Sequence, residues 1–207
     1  NGTDVGLAQT RKRHFLLAKD SSINVLPLEN FISAYKVHFN QPRPVTWCLD
    51  VAPKVFDRED EFYLPPATSD ENMKRINWLF DNNEFDLPNR LRPKCHQKDH
   101  NYKSIYGRLH ADKPSGTITT GFTSPGRGRY IHPEERRGLT CCEASLIQGF
   151  PLSYKFTDFN DSIGRNQYAK VIGDAVSPQM ARVIGQNFGL EHMLASASIS
   201  DQEFLAA

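Results

Sequence analysis

Residues 139–151, LTCCEASLIQGFP, constrain the fold most, because both ends of a helix are written into them. Thr140 can accept a hydrogen bond from the first turn, and Glu143, three residues on, closes a reciprocal capping box. Gly149 supplies the stop and Pro151 follows it. Gln148 and Phe150 are expected to fix the turn after the helix, and Arg137 to tie it to neighbouring carbonyls. TSDENMKRINWLF (68–80) reads as a second helix, with Thr68 and Glu71 as capping box and Met73, Ile76 and Phe80 as apolar stripe. In a third helix Ser177 stands as N-cap and Pro178 at the first position, with a buried face of Met180, Ala181, Ile184 and Phe188. PLENFISAY reads as a short helix, and residues 36–66 and 84–108 as irregular. QTRKRHFLLA (9–18) reads as a strand whose alternation puts Gln9, Arg11, Arg13, Phe15 and Leu17 on one face, the two arginines roughly 7 Å apart.

The 207 residues suffice for one large domain or two small ones. No internal repeat occurs, nor any run of about 18 apolar residues, the length of a membrane span. The N-terminus is not that of a signal peptide and has no Met, so the chain is expected to be processed or cut from something longer. Cys48, Cys95, Cys141 and Cys142 form no C-x-x-C pair and read as reduced thiols of a cytosolic compartment. Cys95, His96 and His100 lack a well-spaced fourth ligand, so no metal is expected. The net charge of +1 hides an asymmetry. Residues 90–137 hold eleven Lys/Arg against four Asp/Glu, a local +7. That is the footprint of a polyanion binder or, equally, of a solvated basic face. Within it lies TITTGFTSPGRGR (117–129), a loop of four threonines, a Ser-Pro-Gly turn and two arginines.

Four of these pieces occur in the order of one family. GLAQTRKRHFLLA resembles the Q-x-R-x-R motif and following strand of the C5-cytosine DNA methyltransferases. YGRLHADKPSGTITTGF resembles the stretch that leads out of their target-recognition region. RRGLTCCEASLIQGFPLSY is similar to their R-x-L-T-x-x-E-x-x-x-x-Q-G-F-P-x-x-Y motif. NQYAKVIGDAVSPQMARVIG resembles the last motif before the C-terminal helix. The family's glycine-rich cofactor loop, Pro-Cys nucleophile and Glu-Asn-Val motif do not occur in these residues. The resemblance therefore implies the DNA-reading and closing half of such an enzyme. The N-terminal catalytic half would lie on the same polypeptide or on a separate subunit.

The family's reaction needs the cytosine swung out of the stack before C6 can be attacked and C5 methylated from S-adenosylmethionine. By resemblance, Arg13 reaches the flipped base's carbonyl oxygen, Arg11 holds backbone phosphates and Gln9 braces them. Thr117 matches a threonine that touches the phosphate beside the flipped base, and Thr119 stands in the same DNA-facing loop. Arg127 and Arg129 read guanine or hold phosphate, with phosphate favoured for at least one. Arg108, Lys113 and Arg136 add non-specific attraction. Asp174, Ala175 and Val176 match the segment that touches the cofactor. Asp174 stands where many members have asparagine, and Ser177 where the pattern has proline.

The expected architecture is α/β: a partial Rossmann-like methyltransferase domain (end strand and closing helix) plus a small, irregular mixed β target-recognition domain. Residues 1–19 would supply the strand, 20–160 the recognition domain, 161–194 the return segment and helix, and 195–207 a flexible tail. Strand and closing helix should then be neighbours. The expected function is target recognition within a bacterial, cytoplasmic DNA (cytosine-5-)-methyltransferase of a restriction-modification system. Its partners would be double-stranded DNA and the N-terminal half, its cofactor S-adenosylmethionine, and it would be inactive in isolation. A non-catalytic sequence-specific DNA-binding or regulatory subunit is the alternative, and a zinc-stabilised interaction module is the weaker competitor.

Overall fold

The fold is taken from a computed structural model, which describes residues 1–16, 18, 28–36, 41–53, 60–97, 104–156 and 163–187. Six α-helices lie within them: α1 (Leu28–Lys36), α2 (Thr46–Leu49), α3 (Asp70–Asp81), α4 (Cys141–Gln148), α5 (Arg165–Asp174) and α6 (Pro178–Asn187). The described residues form no multi-residue strand. Three isolated bridges, Gln9–Ser115, Arg108–Ile131 and Ile131–Gly138, are their β pairing. The described residues are thus helical with long irregular connections, compatible with part of a methyltransferase domain.

Helix α4 is the hub. The Thr140 side chain accepts from Glu143 N–H and the Glu143 carboxylate accepts from Thr140 N–H, so the capping box forms as read. Gly149 takes φ 94°, a conformation that penalises any Cβ, and its N–H closes on Leu146 O. Every residue of α4 is buried. Leu146, Ile147 and Ala144 join Val45, Leu49, Leu109, Ile118, Phe122, Leu139 and Ile172 in the main core. A second cluster gathers Ile76 and Leu79 of α3 with Leu87, Ile105, Tyr106 and Ile131. Val5 and Leu7 meet Met180 and Val183 of α6 in a third. The segment just before residues 9–18 is thus the one that neighbours the closing helix.

Several readings need correction. The cap of α3 is Ser69, which accepts from Asn72 N–H, whereas the Thr68 hydroxyl donates to Pro66 O. Leu79 is the fully buried partner of Ile76, and Phe80 is only partly covered. On α6 the inward residues are Met180 and Val183, while Ala181 is exposed and Ile184 half-buried. The Ser177 hydroxyl is buried without a hydrogen-bond partner instead of capping α6. Helix α2 forms inside the stretch read as irregular. Leu17, Phe188, His100, the tail 195–207 and much of 20–40 lie outside the described residues.

Candidate nucleic-acid interface

The N-terminal segment runs alongside residues 115–118. Ser115 N–H donates to Ala8 O and Thr10 N–H to Ser115 O, each at 2.8 Å. This short pairing ends at Arg11, whose carbonyl accepts from Gly2 N–H at 2.9 Å. The expected single face therefore divides. Gln9 and Arg11 point into the protein and are 0% and 2% exposed, whereas Lys12, Arg13, His14, Phe15 and Leu16 are exposed. Arg13 donates to Lys12 O at 2.7 Å and otherwise projects to solvent.

Gln9 and Arg11 are not placed to touch a phosphate. Gln9 donates to Gln148 Oε1 at 2.8 Å and Ile147 O at 3.1 Å, and accepts from Ile118 N–H at 3.2 Å. Arg11 donates to Ile118 O at 2.8 Å and to Gly173 O and Ala175 O at 3.1 Å. Burial, then the nearby Arg13 charge, lowers the Arg11 pKa. A buried guanidinium needs acceptors, and three main-chain carbonyls supply them to its terminal nitrogens, while Nε is buried without a partner.

The threonine loop is held from beneath by the buried Tyr130. Its hydroxyl donates to Thr117 O at 3.1 Å, so the Thr119 hydroxyl, 3.0 Å away, donates to it in turn. Thr119 is exposed and Thr117 half-buried. Arg127 is exposed and lies across Gly121, where an added Cβ would come within 2.9 Å of its Cδ. Lys113 is exposed.

Arg108, Arg129 and Arg136 of the basic stretch turn back onto protein. Arg129 donates to Phe85 O and Arg108 O at 2.8 Å and pairs with Asp86. Arg108 donates to Pro133 O at 2.7 Å, and its guanidinium lies 4.0 Å above the Phe80 ring. Desolvation, then the Arg136 charge, lowers its pKa. Arg136 pairs with Asp81 at 2.7 Å, an exposed contact that competes weakly with a phosphate. The +7 is thus partly spent on the acidic end of α3 and the residues after it. Sequence reading missed the Phe85–His110 stack, whose ring centroids are 4.0 Å apart. No local spacing signals it, because the two rings are far apart in sequence.

Glu143 carries a buried ion pair as well as the cap. Arg137 donates to it from both terminal nitrogens, at 2.8 and 2.7 Å, and from Nε to Glu135 at 2.7 Å. It also donates to Gly138 O, the kind of contact expected of it. Desolvation alone would lower the Arg137 pKa, but hydrogen bonds and charge from Glu143 and Glu135 push it up. His132 Nδ1 accepts from Glu134 and Glu135 N–H, and its Nε2 lies 3.7 Å from Glu143. Burial dominates and lowers the His132 pKa.

Asp174 ends α5, and Ala175 and Val176 lead from it towards α6. Asp174 is exposed and pairs with Lys170 at 2.6 Å, Val176 is 57% exposed, and Ala175 O accepts from Arg11 and Gln148. They make an open edge and enclose nothing, so these residues alone do not fit a nucleoside-sized cofactor. Cys95 and His96 lie in a single 3-10 turn, and the described residues contain no cluster able to hold a metal.

Comparison with known proteins follows this order of motifs. A family model described as C-5 cytosine-specific DNA methylase matches residues 1–189. The chain is 39% identical over 186 residues to "Type II methyltransferase M1.BsuMI" of Bacillus subtilis (strain 168), covering 89% of this chain and 41% of that protein. It is 32% identical over 189 residues to "Type II methylase M.HgiDII" of Herpetosiphon aurantiacus, covering 89% and 52%. "DNA (cytosine-5)-methyltransferase 1" of Mus musculus is 34% identical over 97 residues, 45% of this chain and 6% of that protein. The chain spans about half or less of the length of these relatives. A match over residues 1–189 of 207, on motifs whose side chains meet in one buried network, places this chain in the C-5 cytosine-specific DNA methylase family.

Proposed function

We propose that this chain is the DNA-recognition and closing part of a DNA (cytosine-5-)-methyltransferase, working in the bacterial cytoplasm within a restriction-modification system. One observation carries the reading. The exposed Arg13 stands two residues beyond Arg11, whose buried guanidinium grips the loop that bears Thr117 and Thr119. The base-orienting cation and the recognition loop are thereby held in one frame.

Arg13 orients the swung-out cytosine through its carbonyl oxygen while contacting a phosphate, as a planar fork allows. Thr117 and Thr119 approach the adjoining backbone. Arg127 and Lys113 supply phosphate contacts, and Arg136 and Arg129 join them when duplex charge outcompetes their acidic partners. Arg108 stiffens the loop's base through its stack on Phe80. Residues 20–160 act as the recognition part, whose β component rests on the bridges at Ile131. Residues 1–19 and 161–194 belong to the catalytic domain. S-adenosylmethionine supplies the methyl group, and most of its pocket belongs to the N-terminal half. Asp174 and Val176 lend that pocket an edge.

The test mixes this chain with the N-terminal half of a relative carrying the Pro-Cys nucleophile and measures labelled methyl transfer to duplex DNA. Restored transfer that weakens with Arg13→Ala supports the reading. Duplex binding with no restored transfer favours a non-catalytic DNA-binding subunit. Absence of both binding and transfer at low salt overturns it.

A further inference from the structure

Two side-chain routes join the recognition loop to the α5–α6 turn. Both main-chain groups of Ile118 are taken by side chains of the N-terminal segment: its N–H by Gln9 and its carbonyl by Arg11. From there Arg11 reaches Gly173 O and Ala175 O directly. Gln9 reaches the same Ala175 O through Gln148, at 2.8 and then 3.0 Å. Gln9, Arg11, Ile118 and Gln148 are all at most 2% exposed. The main chains themselves meet beside these routes. A Cβ added to Gly173 would come within 2.3 Å of Thr120 N and 2.5 Å of the Thr119 carbonyl carbon. The loop and the end of α5 are therefore in close main-chain contact, and the side-chain routes cross that contact.

We propose that Gln9, Arg11 and Gln148 are positioning residues that lock the 117–120 loop to the 173–176 turn, so that duplex engagement at the loop is transmitted to the turn. This rests on the DNA-binding reading for its ligand, but the lock itself does not. Two terminal nitrogens of the Arg11 guanidinium reach three carbonyls on two segments; an ammonium has three donors too, but they radiate from one atom with a different reach. Arg11 therefore acts on the reaction through other groups and touches neither base nor phosphate.

Amide hydrogen exchange on this 207-residue chain tests the lock, free and with a short random-sequence duplex at low salt. In the parent protein the duplex should slow exchange at Ile118 and Ala175 together, by a factor in the range of roughly 5–150 typical of coupled sites. In Arg11→Lys the slowing at Ile118 should persist while that at Ala175 largely disappears. Gln148→Met, which cuts one route, should give an intermediate loss and covers the case in which Arg11→Lys fails to fold. Ala144 in α4 serves as the internal control and should not change. Undiminished slowing at Ala175 in both variants overturns the proposal, as does its absence in a parent protein that binds. If no duplex binds, the functional reading fails by itself. The lock is then judged in the free chain, where Arg11→Lys must raise exchange at Ile118 and Ala175 in step; unlinked changes overturn it.

Discussion

Replacing Glu143 should cost more stability than any other single change to a charged side chain in the α4 region. Its carboxylate is 7% exposed and accepts both terminal nitrogens of Arg137 as well as Thr140 N–H. Removing one member of a buried pair costs about 3–5 kcal/mol, because the other charge stays buried. Loss of a cap adds about 1 kcal/mol. The two do not sum, since one carboxylate serves both. Arg137 also keeps Glu135, whose side chain is 40% exposed, so the lower end applies. We therefore expect about 3 kcal/mol for Glu143→Ala by the buried-pair argument. Glu143→Gln, which can still cap but carries no charge, should cost about 2 kcal/mol. In urea, with an m-value of about 2–3 kcal/mol/M, the alanine change should lower the midpoint by about 1–1.5 M at constant m. A midpoint moved by less than about 0.2 M, the scale of an ordinary surface change, would refute the reasoning.

His132 binds a proton less readily in the folded chain than unfolded, so stability should be full above the ordinary histidine range and fall as pH drops through it towards the lowered folded value. Urea midpoints against pH should flatten in His132→Gln; an unchanged slope would contradict this assignment among Glu143, Arg137, Glu135 and Glu134. Burial pushes the thiols of Cys48, Cys141 and Cys142 up to about 12, whereas Cys95 is exposed. Mild alkylation followed by peptide mass spectrometry should therefore label Cys95 first, and early labelling at Cys142 would count against the core described. Arg13→Ala should weaken duplex binding and reduce the salt slope by about 1, read by fluorescence anisotropy; an unaltered slope removes Arg13 from the phosphate contacts. Gly173→Ala should lower the thermal midpoint more than Gly116→Ala, since a Cβ at Gly116 meets nothing within 4 Å.

What could be read in the sequence was whatever local chemistry decides. The two ends of α4 are set by Thr140, Glu143 and Gly149 within one stretch of chain, and they form as read. The family's motif order was likewise legible, because it needs only spacing. The strand over 9–18 was not, because alternation counts faces but says nothing about where pairing stops; it stops at Arg11. Ser69 displaced Thr68 as cap because two adjacent hydroxyl residues satisfy the same local rule, and only the path of the chain from Pro66 selects between them. Val183 displaced Ile184 because Val5 and Leu7 approach α6 from one side.

Charge was the least legible feature, and the reason is physical. An excess of arginine in a sequence states how many cations exist, not how many face water. A guanidinium has five donors on a flat fork, so it can hold main-chain carbonyls as well as a phosphate. Arg108, Arg129 and Arg11 take carbonyls. Arg13, two residues from Arg11, takes only the carbonyl of its neighbour Lys12 and is otherwise exposed. One Arg-x-Arg spacing thus yields an inward clamp and an outward contact. On the proposed lock, whatever moves Ile118 pulls on Arg11, which adjoins Arg13 through two peptide bonds. A methyltransferase that orients a base with Arg13 would then need Arg11 intact even though Arg11 is buried.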